Sequence, residues 1–397
     1  MSRVNVIFLI AVFLLSIGVI LVISKKSITI GILTASIILG VLTIPYMTLF
    51  ELVFSVFTNA EYLLLASAVA IIPIIGVILN ESGLLSEMIE NFKFSKKALL
   101  IFSPGVLGLL PMPGGALFSA PMVDKTAEEL TPVRKASINE WYRHVFHLVY
   151  PLATALIIGT ELASLNIYVA IAYIFPAFLV AFILGLFFLL RVVPNNTNNA
   201  SSNFFKFVKP LLVILAAPFL DFILKIAFGL RYLATFIGVS VSLLLLLYLS
   251  KPKVNLLPRQ IKKAKPWDFF LLILAIFLYQ TVFINSGIPI VFKFFNFPPY
   301  LFLVVTGFSL GVLTGRLSTP LIISIPIFVA KFGLMTPVAF AILYYATMMG
   351  YIISPIHPCL VFTAEYFNVD VRTVMKDLGA VTSISLVIGL IFLYALV

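Results

Sequence analysis

Glu140, His144 and His147 stand at i, i+4 and i+7, a spacing that puts all three on one face of a helix. Within apolar sequence, three titratable groups in a row can relay protons or neutralise charge during transport. Asn139 and Arg143 flank them, and the row leads to Tyr150-Pro151, where proline must break the helix. Tyr150 at the break is grouped with the ion- and proton-coupling candidates, and Thr154, just past it, is a weaker candidate for an ion ligand. The same face has two other readings, packing at an interface and a metal site. The metal reading is the weakest, because a zinc site needs three good ligands in a closed geometry and no second metal motif is visible. No bound metal or cofactor is expected.

A second set of candidates surrounds Arg316 in GVLTGRLSTPLIISIPIF, residues 311–328. A guanidinium in apolar sequence is expensive, and its planar fork suits a carboxylate or phosphate. Its other readings are a structural pair with an acid such as Glu140, or a tip reaching for water. Ser318 and Thr319 add hydroxyls that suit Na+ or a substrate oxygen, or that cap a helix. His357-Pro358, after Ser354-Pro355, marks another break. There His357 can serve as substrate or proton ligand, or donate to freed carbonyls, and Ser354 is grouped with the ion-coupling candidates. Gly114 and Gly115 belong to GLLPMPGGALFSAPMV, residues 108–123. They either bring backbone close to a ligand or simply form the turn.

The elements that must hold these residues are membrane helices. The chain of 397 residues is 62% hydrophobic and 10% charged, with a mean hydropathy of +1.18, beyond the range of a soluble domain. Long apolar runs without strand-like alternation exclude a barrel. The net charge of +11 lies in loops, where Lys and Arg set topology, and not in a nucleic-acid surface. Cys359 is the only cysteine, so no internal disulfide exists. Val4–Ile23 reads as a retained span, because Lys25-Lys26 follow it and no small-residue cleavage pattern does. Asp221 is a possible buried acid, but Lys225 at i+4 favours a local pair.

Half a chain apart, features recur in order. Asn80 and Asn285, Ser119 and Ser324, and Thr131-Pro132-Val133 and Thr336-Pro337-Val338 each lie 205 residues apart, and Pro151 and Pro355 lie 204 apart. The pattern predicts an internal duplication. The first repeat covers 1–195, with a hairpin at 98–131 and a broken helix at 132–164. A polar linker covers 196–206. The second repeat covers 207–397, with a hairpin at 299–335 and a broken helix at 336–366. If both hairpins are re-entrant, each half crosses five times and the halves are inverted. One side then collects 19 Lys and Arg and the other 5. That bias puts the first side in the cytoplasm and both termini outside. The expected fold is an all-α integral membrane protein of two inverted five-helix repeats in the cytoplasmic membrane.

This layout of five spans, a hairpin and a broken helix, repeated inverted, resembles the ion-transporter superfamily of secondary carriers. Within it the likeness is nearest to an uncharacterised ten-span family, and more distant to gluconate-type permeases and divalent-anion:sodium symporters. The resemblance implies substrate and ions between hairpin tips and helix breaks, and a transport body moving against a dimeric scaffold. The Ser-Asn-Thr tip motif of the dicarboxylate symporters is replaced here by Pro111-Met112-Pro113-Gly114-Gly115 and Arg316-Leu317-Ser318-Thr319-Pro320. The leading expectation is a secondary carrier of a small organic anion coupled to Na+ or H+, and not an enzyme. The runner-up is a cation/proton antiporter on the same scaffold. An intramembrane enzyme or a lipid translocase is a more remote reading. No nucleotide-binding GxxxxGK[ST] loop occurs.

Overall fold

A computed structural model of the chain describes residues 3–91, 95–109, 115–194, 203–293 and 295–397. Every regular element among the described residues is helical. The first half runs α1 (Arg3–Ile23), α2 (Ile28–Thr43), α3 (Tyr46–Thr58), α4 (Ala60–Glu81), α5 (Leu84–Glu90), α6 (Lys96–Leu109), α7 (Gly115–Thr126), α8 (Pro132–Val145), α9 (Thr154–Leu162) and α10 (Ile167–Phe188). The second runs α11 (Phe204–Phe228), α12 (Tyr232–Ser250), α13 (Leu257–Ala264), α14 (Pro266–Asn285), α15 (Ile288–Phe292), α16 (Pro299–Thr314), α17 (Ser318–Phe332), α18 (Pro337–Ile352), α19 (Pro358–Tyr366) and α20 (Val371–Tyr394). Among the described residues, seven helical stretches are long and apolar enough to cross a bilayer. The protein is therefore a multi-pass integral membrane protein. Exposed apolar side chains on α1, α3, α10, α11 and α20, among them Phe8, Phe54, Phe187, Phe219 and Ile391, form its lipid-facing belt.

Local sequence explains where the broken helices begin. Thr131 accepts a hydrogen bond from Arg134 N at 3.4 Å, and Thr336 from Ala339 N at 3.2 Å. In both cases proline follows at the first helical position, where its missing N–H is harmless. The breaks fall at residues 149–153 and 353–357, between α8 and α9 and between α18 and α19. A short 3-10 turn, Phe146–Leu148, follows α8, so His147 leaves the helix that carries Glu140 and His144. The reading of one continuous helical face is corrected to that extent.

Packing sorts the helices into two groups. One joins α1 to α2, α11 to α12, α4 to α12 and α14 to α2 and α4. The other holds α6 to α10 and α16 to α20, with α6 on α8, α16 on α18, α10 on α20, α9 on α17 and α19 on α7. The second helix of each pair α6/α7 and α16/α17 thus packs against the broken helix of the opposite half. Glycine makes the tightest approaches. A Cβ on Gly108 would lie 2.2 Å from the Arg143 carbonyl oxygen, and one on Gly350 2.2 Å from that of Phe308. These close backbone approaches let α6 meet α8 and α16 meet α18, as small residues do between membrane helices. Gly315 ends α16 with φ +57°, a left-handed conformation that a residue without Cβ adopts freely.

Candidate functional site

Between the two helix groups lies a cavity of about 510 Å³. Its walls come from the N-terminal ends of α2, α14, α9 and α17 and from the last residue of α6, Leu109. Four residues singled out from sequence line it: Arg316, Ser318, Thr154 and His147. Ser318 and Thr154 are the first residues of α17 and α9, so two helix N-termini present unpaired N–H groups and positive dipole ends here. Arg316 is half-buried, and among the described residues no acid forms an ion pair with it. In particular, it does not pair with Glu140. Lys26 and Asp268 also line the cavity. Lys26 lies in the α1–α2 loop and Asp268 in the first turn of α14, so this wall faces the α1–α2 loop.

Behind the cavity sits a buried ionisable cluster. Glu140 and His357 are fully buried, His144 is 1% exposed and Arg143 4%. His357 Nδ1 lies 2.8 Å from Glu140 Oε1, and His144 Nδ1 lies 3.2 Å from the same oxygen. The His357 contact lacks hydrogen-bonding angles. Both Glu140 oxygens and both His357 nitrogens are without a hydrogen-bond partner among the described residues. His144 Nδ1 meets the Glu140 backbone carbonyl at 2.7 Å. Asn139 Nδ2 donates to Thr363 Oγ1 at 3.0 Å, which fixes α8 against α19. A buried charge of this kind is costly unless paired.

Tyr351 connects the two regions. It lines the cavity, and its ring lies 3.8 Å from that of His357 and 5.2 Å edge-on from that of His144. His147 completes the connection. Its ring is 5.6 Å from His144, its Nε2 meets the Gly108 carbonyl at 2.5 Å, and its own carbonyl accepts from Tyr344 Oη at 3.3 Å. Neither Tyr351 nor the lysine at the cavity mouth stood out in the sequence. Each is an ordinary residue at a helix end, visible as part of a site only once the halves are packed.

The remaining sequence candidates fall in other places. Thr319 is fully buried one residue behind the cavity, with its hydroxyl unpartnered among the described residues. The Ser354 hydroxyl donates to the Val312 carbonyl at 2.6 Å and so ties the second break to α16. Tyr150 is buried in the core outside the cavity lining. Gly115 is buried at the start of α7, whereas Gly114 and the tip 110–114 lie outside the described residues. Asp221 does pair with Lys225, at 2.9 Å, and also accepts from Thr235 and Tyr168.

No curated protein matches the chain. Residues 6–396 match the family model described as protein of unknown function, DUF401. That match runs through both helix groups, the cavity and the ionisable cluster, and the chain belongs to the DUF401 family.

Proposed function

We propose that the protein is a secondary carrier of a small organic anion, a carboxylate, driven by Na+ or H+ across the cytoplasmic membrane. The observation that carries this reading is Arg316: a guanidinium without an acid partner among the described residues, on a cavity where α9 and α17 also point their N-termini. Together these groups favour an anion. The cavity is of the size that small-molecule sites occupy.

The helix order supports the rest of the proposal. α1 to α10 and α11 to α20 follow the same sequence of long, short, paired and broken helices, as two inverted repeats would, with re-entrant pairs α6/α7 and α16/α17. Ion pairs join residues that the loop charges assign to one side. Lys96–Glu129, Arg134–Asp377, Lys206–Glu87 and Lys263–Glu81 fall in the cytoplasm, and Arg231–Glu161 falls outside with both termini. Lys26 on its wall, one of the loop cations assigned to the cytoplasm, supports a cavity that opens on that side. The likeness to ion-transporter carriers adds an elevator movement of the hairpin-bearing group against the α1, α2, α4, α11, α12 and α14 group, within a homodimer. The buried Glu140–His144–His357 cluster supplies the coupling site, with Tyr351 transmitting occupancy of the cavity to it. The same cluster also favours the second reading, a cation/proton antiporter, which needs an intramembrane acid.

Thermal-shift screening of detergent-purified protein against carboxylates, with Na+ and pH varied, tests the proposal. A stabilising carboxylate should bind at least about tenfold more weakly to Arg316→Lys, about 1.4 kcal/mol, because the fork geometry is lost. Cation-dependent proton exchange in proteoliposomes without any anion would replace the carrier by the antiporter.

A further inference from the structure

We propose that Glu140, His144, His357 and Cys359 form a binding site for a soft transition-metal ion, Zn2+ or Cu+. His144, His357 and Cys359 each offer one ligand atom, and these atoms lie within 4.8 Å of one another. Glu140 Oε1 adds a fourth donor, 2.8 Å from His357 Nδ1. That separation is close to an edge of a small coordination polyhedron, and side-chain movement closes the remaining donors around an ion with bonds of about 2.0–2.3 Å. Imidazole and thiolate donors select Zn2+ and Cu+ over Na+, Mg2+ or Ca2+.

Three further observations favour a ligand here over a purely structural cluster. Both Glu140 oxygens and both His357 nitrogens are fully buried without hydrogen-bond partners among the described residues, and buried polar groups rarely stay unsatisfied without a reason. The Nδ1 of His144 meets the Glu140 backbone carbonyl at 2.7 Å. That is the outer contact that fixes a ligating histidine and leaves its other nitrogen free. Asn139 and Thr363, joined at 3.0 Å, hold the two ligand-bearing elements together. The Arg143 guanidinium beside Cys359 separates the two ions. With carboxylate and thiolate donors, Zn2+ leaves one net positive charge in the cluster and Cu+ leaves it neutral.

The site joins α8 of one half to the start of α19 in the other; a metal held there takes over the groups assigned above to coupling, whereas the anion site at Arg316 stands apart from it. Full-length protein in detergent, stripped with a chelator, is loaded with Zn2+ or with Cu+ under reducing conditions, desalted and analysed for metal. One equivalent of either ion per chain supports the proposal and names the ion; substoichiometric binding of both overturns it. Co2+, as a stand-in for Zn2+, should give a thiolate-to-metal charge-transfer band on the wild type. Cys359→Ser should abolish that band, and His357→Gln should weaken metal binding at least tenfold. Since Cys359 is the sole cysteine, maleimide labelling reads it without any mutation. Bound metal should slow labelling at least tenfold, and a chelator should restore it. Labelling at one rate with and without metal overturns the proposal even if the variants fail to fold. Carboxylate binding without metal binding sinks this inference alone.

Discussion

α8 and α18 hold corresponding places, each the first segment of a broken helix and each started by a Thr-Pro-Val cap, yet their interiors differ in kind. α8 buries Asn139, Glu140, Arg143 and His144. At the matching 205-residue offset, α18 buries Tyr344, Tyr345, Met348 and Met349. Their contacts differ accordingly. α8 meets α19 through Glu140–His357 and Asn139–Thr363, whereas α18 meets α9 where Phe340 packs on Gly159. The same backbone plan therefore carries charge at one interface and apolar packing at the other. Shape is shared between the halves and chemistry is not.

The largest expected effect tests the shared shape. In Gly108→Val and in Gly350→Val, a Cβ placed 2.2 Å from a backbone carbonyl oxygen has no side chain to push aside. Both variants should lose the monodisperse folded species in size-exclusion chromatography. If one half tolerated the substitution, the two hairpin-to-break approaches would not be equivalent.

Next comes the difference in chemistry. Glu140→Ala removes the buried carboxylate that lies 2.8 Å from His357 Nδ1 and 3.2 Å from His144 Nδ1, and breaking a buried charged arrangement costs about 3–5 kcal/mol. Tyr345→Phe, at the corresponding place in α18, removes only the hydroxyl that donates to the Ser385 carbonyl at 2.9 Å and meets Ser385 Oγ at 2.6 Å, about 1–2 kcal/mol. Thermal unfolding in detergent should rank the two variants in that order by a wide margin. Equal losses would mean that the charges on α8 are no more demanding than one hydroxyl on α18.

How far the sequence discloses this contrast depends on whether a feature is local. The Thr-Pro caps, the proline breaks and the apolar runs are set by neighbours in the chain, and they place both broken helices to within a few residues. Glu140 and His144 are one turn apart, so their common face is readable from spacing alone. Their meeting with His357 and Cys359, more than two hundred residues away, depends on how α19 lies across α8. No periodicity encodes that crossing. Tyr351 is hidden for a similar reason, since an aromatic at a helix end is ordinary until the cavity and the cluster are seen on its two sides. Ser354 shows the opposite failure. Its type and place beside the break read as chemistry, but packing uses its hydroxyl to anchor Val312.

The smallest effect sharpens the comparison at the hairpin bases. Lys96 donates to Glu129 at 2.7 Å at the base of α6 and α7. At the base of α16 and α17, Lys331 instead donates to the Lys293 carbonyl at 2.9 Å. The Lys96 hydrogen bond holds the Glu129 carboxyl below its ordinary value. A depressed folded-state value means that the contribution is present above the unfolded pKa and is lost as pH falls through the folded one. Glu129 is 38% exposed, so solvent screening limits the pair to well under about 1 kcal/mol. Glu129→Gln should therefore cost a small amount of stability at neutral pH and nothing in acid, so its melting curve converges with wild type as pH drops. Lys331→Met lacks a titrating acceptor, and any loss it causes should stay constant over the same acidic range. If both deficits faded together in acid, the two bases would be held by the same kind of contact and the asymmetry would end at α8.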